Sequence, residues 1–262
     1  MSAARGAMQL TVVGCHGGET PKHRTSAFVL DGKLALDAGS LTSGLDLDAQ
    51  AALEAVVVSH AHLDHIRDLA TIADNRCQLG CAPLPVAGTR GTIATLKKHF
   101  FNNKLWPDFS VIPSRERPTV TWIVLPMEKT VTVGRWKVRA IPVSHTIEAA
   151  ALIVTGEHGS IAYSGDTGPT DRLWEVLDAQ PDLRALLMEV SFPDREQKVA
   201  TLSGHHTPSS LASDLRKYAR PKDLPTLLFH IKPLFQREVE LELAKLRSLN
   251  LTVLRLGDEL AL

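Results

Sequence analysis

Residues 55–65 read AVVVSHAHLDH, and this segment indicates both a buried strand and a metal-binding site. Its first four residues form a continuous apolar run, which is typical of a short strand buried on both faces. In extended chain, residues two apart point to the same side, so His60 and His62 can bind one cation. A helix beginning near Asp64 would project Asp64 and His65 toward a neighbouring point, and its dipole favours ionised Asp64.

A reading of the same segment without metal is available. The histidines would then end the strand and Asp64 would cap the helix. Three histidines and an aspartate within six residues would, however, bring together several polar groups that are costly to bury without partners. Metal binding is therefore the favoured interpretation.

Three further apolar runs end near a residue that can bind a metal. In α/β proteins the loops at the carboxyl ends of strands carry the chemistry, because the strands hold them in place. The residues reached in this way are His145, Asp166 and His230.

Strand-like and helix-like patterns are mixed in both halves of the chain, and no linker or low-complexity tract divides it. This mixture predicts an α/β sandwich, with two sheets and outer helices, in one domain spanning residues 1–262. The least regular stretch, residues 99–118, predicts a functional or mobile loop. Helical patterns fit Asp64–Cys77, Gly88–Phe101, Asp171–Ala179, Pro208–Ala219 and Gln236–Ser248, with Thr207 as a cap of the fourth.

The composition restricts the classes of partner that are expected. The 29 basic residues balance 29 acidic ones, so no broad cationic face is expected for extended nucleic acid or anionic lipid. No segment has the apolar length of a membrane span or of a signal peptide core, so no membrane association is expected. The odd number of cysteines, Cys15, Cys77 and Cys81, argues against a disulfide framework and favours the reducing cytoplasm.

The segment HAHLDH (residues 60–65) resembles the His-x-His-x-Asp-His signature of the metallo-β-lactamase superfamily. Its Leu63 before the aspartate makes it more specifically similar to the class II 3′,5′-cyclic nucleotide phosphodiesterases. Further matches run in order from about residue 10 to 240, with His206 as a departure where a small or apolar residue is expected. They are Gly14–Gly18 followed by Arg24–Ser26, Leu36–Gly39, Asn103–Asp108, Ser164–Gly168, Gly204–Pro208 and His230–Pro233.

This resemblance implies an αββα sandwich, two mixed sheets face to face with helices outside, and a binuclear metal centre. It implies that one cation is held by His60, His62 and His145, a second by Asp64, His65 and His230, and that Asp166 bridges both. Nitrogen-rich sites suit Zn²⁺ first, with Mn²⁺ or Fe²⁺ as alternatives. The implied reaction is hydrolysis of cAMP or cGMP to the 5′-monophosphate by a hydroxide bridging the two metals. Because members of the superfamily often dimerise, a homodimer is also expected.

The resemblance also assigns catalytic roles. His205 is the candidate general acid for the 3′-alkoxide, and Glu189 would orient or recharge it. Asp64 is counted as catalytic as well as metal-binding. Its combination with His205 resembles phosphodiesterases, which disfavours a β-lactamase or a thioesterase. Loop bracing by His205 and a purely supporting role for Glu189 remain open. Asp37 is expected to orient a metal ligand rather than to bind metal, and His206 to face away or touch substrate.

Two other functions compete. A tRNase Z-like 3′-processing nuclease of the same superfamily is disfavoured, because the chain has no long basic insertion and no net positive charge to hold tRNA. A metal-binding protein without turnover is disfavoured, because all seven ligand positions carry competent residues.

Overall fold

The computed structural model describes residues 6–219 and 223–262. Two seven-stranded sheets organise this part of the chain. The strands are β1 (Gln9–Gly14), β2 (Ala27–Leu30), β3 (Leu34–Leu36), β4 (Ala55–Val58), β5 (Leu84–Gly88), β6 (Val120–Val124), β7 (Thr130–Val133), β8 (Trp136–Pro142), β9 (Ala150–Gly156), β10 (Gly159–Tyr163), β11 (Leu183–Glu189), β12 (Thr226–Phe229), β13 (Leu251–Val253) and β14 (Glu259–Ala261).

Both sheets are mixed, as expected. The first has the order β14-β1-β2-β3-β4-β5-β6, antiparallel as far as β3 and parallel from β3 to β6. The second has the order β13-β12-β11-β10-β9-β8-β7, parallel from β13 to β10 and antiparallel from β10 to β7. Because β8, β10 and β12 run in the same direction, their carboxyl ends lie at one edge of the second sheet.

The helices are short. They are α1 (Leu41–Gly44), α2 (Leu47–Ala52), α3 (Leu63–Ile66), α4 (Leu69–Gln78), α5 (Arg90–Thr95), which continues as a π-helix (Leu96–Phe100), α6 (Arg172–Asp178), α7 (Gln197–Ser203), α8 (Pro208–Leu215) and α9 (Gln236–Leu243), with single 3₁₀ turns at Asp194–Glu196 and Pro233–Phe235. The predicted cap is confirmed: the Thr207 side chain accepts a hydrogen bond from the Ser210 N–H, and Pro208 is the first residue of α8.

Alternating side chains build three apolar layers. On β4, Val57 faces the core between the sheets, whereas Val56 and Val58 face the helices outside the first sheet. A third cluster packs the outer face of the second sheet against residues such as Trp174 of α6 and Leu211 of α8. Strands buried on both faces carry unbroken apolar runs, so the predicted sandwich with outer helices is confirmed.

The single helix predicted over Asp64–Cys77 is wrong, because the chain forms α3 and α4 with a break at Arg67–Asp68. The Asp68 N–H donates to the Ala38 carbonyl over 2.8 Å, and its carboxylate accepts bonds from the Thr42 N–H (2.8 Å) and hydroxyl (2.6 Å). These tertiary bonds replace the helical ones at this point.

The predicted span of one domain, residues 1–262, includes positions 1–5 and 220–222, which lie outside the described residues, and it stays a prediction. Within the described ranges, every helix is too short or too polar to cross a lipid bilayer.

Candidate metal centre

Five histidines and two aspartates from distant parts of the chain meet at one point. Four of these side chains follow β4 of the first sheet, and the other three follow β8, β10 and β12 of the second sheet. The first four are His60, His62, Asp64 and His65, and the other three are His145, Asp166 and His230. Their ligand atoms form two groups, each with all atoms within 4.8 Å of one another: His60, His62, His145 and Asp166 in the first, and Asp64, His65, Asp166 and His230 in the second. The predicted convergence of these strand ends is therefore confirmed, and Asp166 belongs to both groups.

In the first group, the ring nitrogens of the three histidines face one another. Nδ1 of His62 lies 3.1 Å from Nε2 of His60 and 3.1 Å from Nε2 of His145. Oδ2 of Asp166 completes the group, 3.7 Å from His60 Nε2 and 4.0 Å from His145 Nε2.

The second group has the same character. Oδ2 of Asp166 lies 3.2 Å from Nε2 of His65 and 3.3 Å from Nε2 of His230. His230 Nε2 is also 3.3 Å from Oδ2 of Asp64 and 3.4 Å from Nε2 of His65. One carboxylate thus lies between two sets of nitrogen and oxygen donors.

Hydrogen bonds on the outer side of four rings fix which nitrogen is free. Each of these rings donates its Nδ1–H to an acceptor outside the cluster, which leaves the Nε2 lone pair directed inward. The pairs are His60 with Ser59 Oγ (3.0 Å), His65 with Asp37 Oδ2 (2.6 Å), His145 with the Gly204 carbonyl (3.0 Å) and His230 with Ser191 Oγ (2.9 Å).

The Gly204 acceptor depends on glycine. Its φ of +69° lies in the left-handed region, and a Cβ there would come within 2.9 Å of the His145 Cα. Only glycine therefore brings this carbonyl against the His145 ring without a clash.

The donor set fits divalent metal ions. The Nε2 lone pairs of His60 and His145 both face Nδ1 of His62. A proton on this Nδ1 could bond to only one of them, whereas a cation would bind all three nitrogens. Oδ1 of Asp166 is buried and, among the described residues, has no hydrogen-bond partner, which a metal bond would supply.

Electrostatics keep most donors in the form that binds metal. Burial lowers the pKa of His60, and burial also lowers the pKa of His62, His145 and His230, so these rings are neutral at pH 7. Burial raises the pKa of Asp166, but the facing His230 and His65 rings outweigh it and hold that pKa well below its usual range. The carboxylate between the two groups is therefore ionised.

At two side chains, His65 and Asp64, nearby charges shift the pKa in the opposite direction to burial. Burial lowers the pKa of His65, but the Asp166 and Asp37 carboxylates outweigh it and raise that pKa well above its usual value. A metal at Nε2 would replace the extra proton. At Asp64 burial raises the pKa, yet the His230 hydrogen bond and the His65 charge bring it below the ordinary range.

Asp37 supports both groups from behind. Its Oδ2 accepts hydrogen bonds from His65 Nδ1 (2.6 Å), the Tyr163 hydroxyl (2.6 Å) and the Ser59 hydroxyl (2.7 Å), and its Oδ1 accepts one from the Ser59 N–H (2.7 Å). The predicted contact of Asp37 with a ligand is confirmed. Sequence reasoning missed Ser59, which passes the support on to His60, and Tyr163, although both lie within three residues of predicted ligands.

The backbone is held in an uncommon conformation at two of these positions. Asp37 has a φ of 55° and the ligand His230 has a φ of 70°, both in the left-handed region. Non-glycine residues adopt this region only when their surroundings enforce it, and such residues concentrate at functional sites.

A second buried network lies beside His230. The Ser191 hydroxyl donates to Glu189 Oε2 (2.9 Å), and its oxygen lies 2.9 Å from His230 Nδ1 and 3.2 Å from His205 Nδ1. His205 Nδ1 is also 3.4 Å from Glu189 Oε1. The predicted pairing of Glu189 with His205 is thus seen as a contact, while Ser191, two residues after Glu189 on the same side of the chain, was missed.

His205 lies over both groups. Its ring centroid is 5.2 Å from that of His145 and 5.2 Å from that of His230. Burial lowers the pKa of His205, and burial raises the pKa of the Glu189 carboxyl to about 7. Glu189 can therefore hold or release a proton near neutral pH.

His206 does not join the cluster. Its Nδ1 is 3.1 Å from Ser210 Oγ and its Nε2 is 3.6 Å from Asp214 Oδ2, while its backbone N–H donates to Glu189 Oε1 over 2.9 Å. The prediction that its ring faces away is confirmed.

The aromatic residues of the irregular stretch pack inward. Phe101 and Phe109 are buried in the cluster outside the first sheet, and Trp106 packs against the same cluster. These three side chains therefore pack within the domain.

Comparison with known proteins agrees with this geometry. The profile of the β-lactamase superfamily domain matches residues 38–231. A Yersinia pestis protein named probable 3′,5′-cyclic-nucleotide phosphodiesterase is 26% identical, with 100% of this chain and 87% of the relative covered. An Aliivibrio fischeri protein named 3′,5′-cyclic-nucleotide phosphodiesterase is 26% identical over 88% of this chain and 83% of its own length. The solved structure of unliganded yeast PDE1 shares the fold, with a TM-score of 0.82 at 19% identity and coverage of 98% of this chain and 100% of that one.

Proposed function

This chain belongs to the β-lactamase superfamily, and from that membership we propose that it is a metal-dependent phosphodiesterase that hydrolyses 3′,5′-cyclic nucleotides to 5′-monophosphates. The names of the two curated relatives support the substrate class. The observation that carries the proposal is the position of His205, over two donor groups that share one carboxylate.

Two divalent cations are the proposed cofactors. His60, His62 and His145 would hold one, Asp64, His65 and His230 the other, with Asp166 common to both. Five imidazole nitrogens and two carboxylates suit Zn²⁺ first, and Mn²⁺ or Fe²⁺ next. Bound cations of this kind lower the pKa of water toward neutrality and neutralise charge on phosphate oxygens.

The protein's own residues prepare this chemistry. Ser59, Asp37, Ser191 and the Gly204 carbonyl hold the four rings in the tautomer that presents Nε2 inward. Because these acceptors are buried, the ligands need little reorganisation when metal or substrate arrives.

The leaving 3′-alkoxide needs a proton, and His205 is placed to give one. Its Nδ1 faces Ser191 and Glu189, so Nε2 is the nitrogen left for the substrate. When Glu189 is protonated, its O–H donates to Ser191 Oγ and the Ser191 proton donates to His205 Nδ1, which keeps the remaining ring proton on Nε2. As His205 gives its Nε2 proton to the alkoxide, its Nδ1 takes the Ser191 proton and Ser191 takes that of Glu189, so the ring stays neutral and the Glu189 carboxylate is left ionised.

Other parts of the proposal concern the setting. Three free cysteines support a reducing compartment, for which we propose the cytoplasm. A small cyclic nucleotide is the proposed partner, and homodimerisation stays a prediction.

The test is an assay of the pure protein with cAMP, cGMP and bis-p-nitrophenyl phosphate, before and after chelation and after return of Zn²⁺ or Mn²⁺. We expect metal-dependent turnover of all three, and loss of turnover in Asp64→Ala. Asp182→Ala, an exposed and remote aspartate, is the matched control and should keep wild-type rates. Metal-replete protein that leaves cyclic nucleotides intact would refute the proposal; cleavage of a tRNA 3′ trailer, or metal binding with no turnover, would favour the two alternatives.

A further inference from the structure

A cavity of about 360 Å³ opens directly beside the second donor group. Its volume is in the range of small-molecule binding sites. The residues that matter for its chemistry are Gly17, Gly18, Glu19, Leu63, Asp64 and Arg67. Since Asp64 is a proposed metal ligand, a molecule in this cavity would reach the metal centre.

The walls of the cavity suit a flat ring. Leu63, between two proposed ligands, leaves 61% of its surface exposed although it is apolar. Gly17 and Gly18 present bare backbone. That backbone is held firmly, because the Gly17 N–H donates to the Ile231 carbonyl over 3.1 Å, and a Cβ on Gly17 would lie 2.4 Å from the His230 carbonyl oxygen.

Besides the Asp64 carboxylate, the polar side of the cavity carries a second carboxylate and a guanidinium side by side, those of Glu19 and Arg67. Arg67 is paired with Glu19, and its Nε–H donates over 2.9 Å to Oδ1 of Asp68. Asp68 is itself buried and bonded to Thr42, so the guanidinium has a fixed base. Among the described residues, Nη2 of Arg67 and Oε1 of Glu19 make no hydrogen bond that would prevent them from meeting a ligand.

We propose that this cavity holds the base of a cyclic nucleotide and that Glu19 and Arg67 select guanine over adenine; this inference rests on the proposed function. Guanine presents two acceptors, O6 and N7, next to two donors, N1–H and the N2 amino group. Arginine is the usual partner of the first edge, and a carboxylate complements the second. An adjacent Arg–Glu pair therefore matches adjacent edges of one base.

Adenine fits the same pair poorly. It places an amino group where guanine has O6, so that donor meets the donors of Arg67. It also places a bare N1 where guanine has N1–H, so that acceptor meets the Glu19 carboxylate. Such mismatches lower affinity for the wrong ligand without any new contact to the right one.

Two measurements on the purified full-length protein test the inference. Calorimetric titration with 5′-GMP and 5′-AMP reports binding without turnover, and kcat/KM for cGMP and cAMP reports selection during reaction. We expect a preference for guanine of about tenfold in both, the discrimination that one good base contact gives. Glu19→Gln replaces the carboxylate by a group with one acceptor and one donor. The ratio of affinities for 5′-GMP and 5′-AMP and the ratio of kcat/KM for cGMP and cAMP should therefore both fall toward one.

Glu54→Gln is the matched control. Glu54 forms a similar exposed pair with Arg135 away from the cavity, and its removal should leave both ratios unchanged. Equal affinity for the two nucleotides, preference for adenine, no binding of either, or an unchanged ratio in Glu19→Gln would overturn the inference. A protein that prefers 5′-GMP but cuts no diester would refute only the proposed function, and one that cuts both cyclic nucleotides without discrimination would refute only the base site.

Discussion

Asp37→Asn tests the support behind the metal centre most directly. The Asp37 carboxylate accepts four hydrogen bonds from three residues, Ser59, His65 and Tyr163, at 2.6 to 2.7 Å. Asparagine has almost the same shape and tolerates the left-handed backbone of position 37. The substitution therefore removes acceptor capacity without adding backbone strain or a cavity.

The magnitude follows from the bonds that are lost. An amide has a single acceptor oxygen, so in one orientation its NH₂ faces the Ser59 N–H, and in the other it faces three donors. One buried donor left unpaired costs about 1–3 kcal/mol, and bonds to a charged acceptor are stronger than neutral ones. We expect the free energy of unfolding of the metal-free protein to fall by about 2–4 kcal/mol. Metal affinity should fall by roughly 10–100-fold, because His65 loses the acceptor that fixes its ring.

Urea unfolding of the metal-free protein measures the first quantity, and competition with a chelator for Zn²⁺ measures the second. Asp68→Asn is the matched control: Asp68 is also buried and accepts bonds from Thr42 and Arg67, but none from a histidine. It should lose stability and keep its metal affinity. If Asp37→Asn keeps the wild-type free energy of unfolding and the wild-type metal affinity, the argument for Asp37 is wrong.

Three further outcomes are expected. His205→Ala should lose much of its rate with cAMP, whose alkoxide needs a proton, and little with bis-p-nitrophenyl phosphate, whose phenolate does not; equal losses would argue against the acid role. Burial raises the pKa of Glu189 from 4.5 to about 7. Between these two pH values the folded protein holds a proton that the unfolded chain has released, so the free energy of unfolding falls as the pH rises. Metal-free Glu189→Gln should therefore gain free energy of unfolding relative to wild type between about pH 5 and 7.5, and a difference that does not change with pH would contradict this. Burial also raises the pKa of the Cys15 thiol to about 12, so iodoacetamide should label the partly exposed Cys77 and Cys81 in the native protein and spare Cys15; early labelling of Cys15, read by peptide mass, would count against its burial.

The fold class and the seven residues that meet could be predicted from local patterns in the sequence. The unbroken run of β4 marks a strand with both faces buried, and Val56, Val57 and Val58 do alternate between two apolar layers. Residues 60–65 carry four donors within six positions, so their mutual proximity is a property of the local chain. Apolar runs that end at His145, Asp166 and His230 identify the other three donors.

How these donors are held depends on tertiary contacts that no local pattern predicts. The break between α3 and α4 comes from hydrogen bonds of Asp68 to Ala38 and Thr42. A helical pattern in the sequence does not predict such tertiary bonds. Edge strands β7 and β14 are largely exposed and carry little apolar signal. The Tyr163 hydroxyl reaches Asp37 across 126 residues of chain. Sequence patterns record the neighbours of a residue within a turn or a strand, whereas tautomers, pKa values and backbone strain depend on buried groups that only the packed sheets bring into contact.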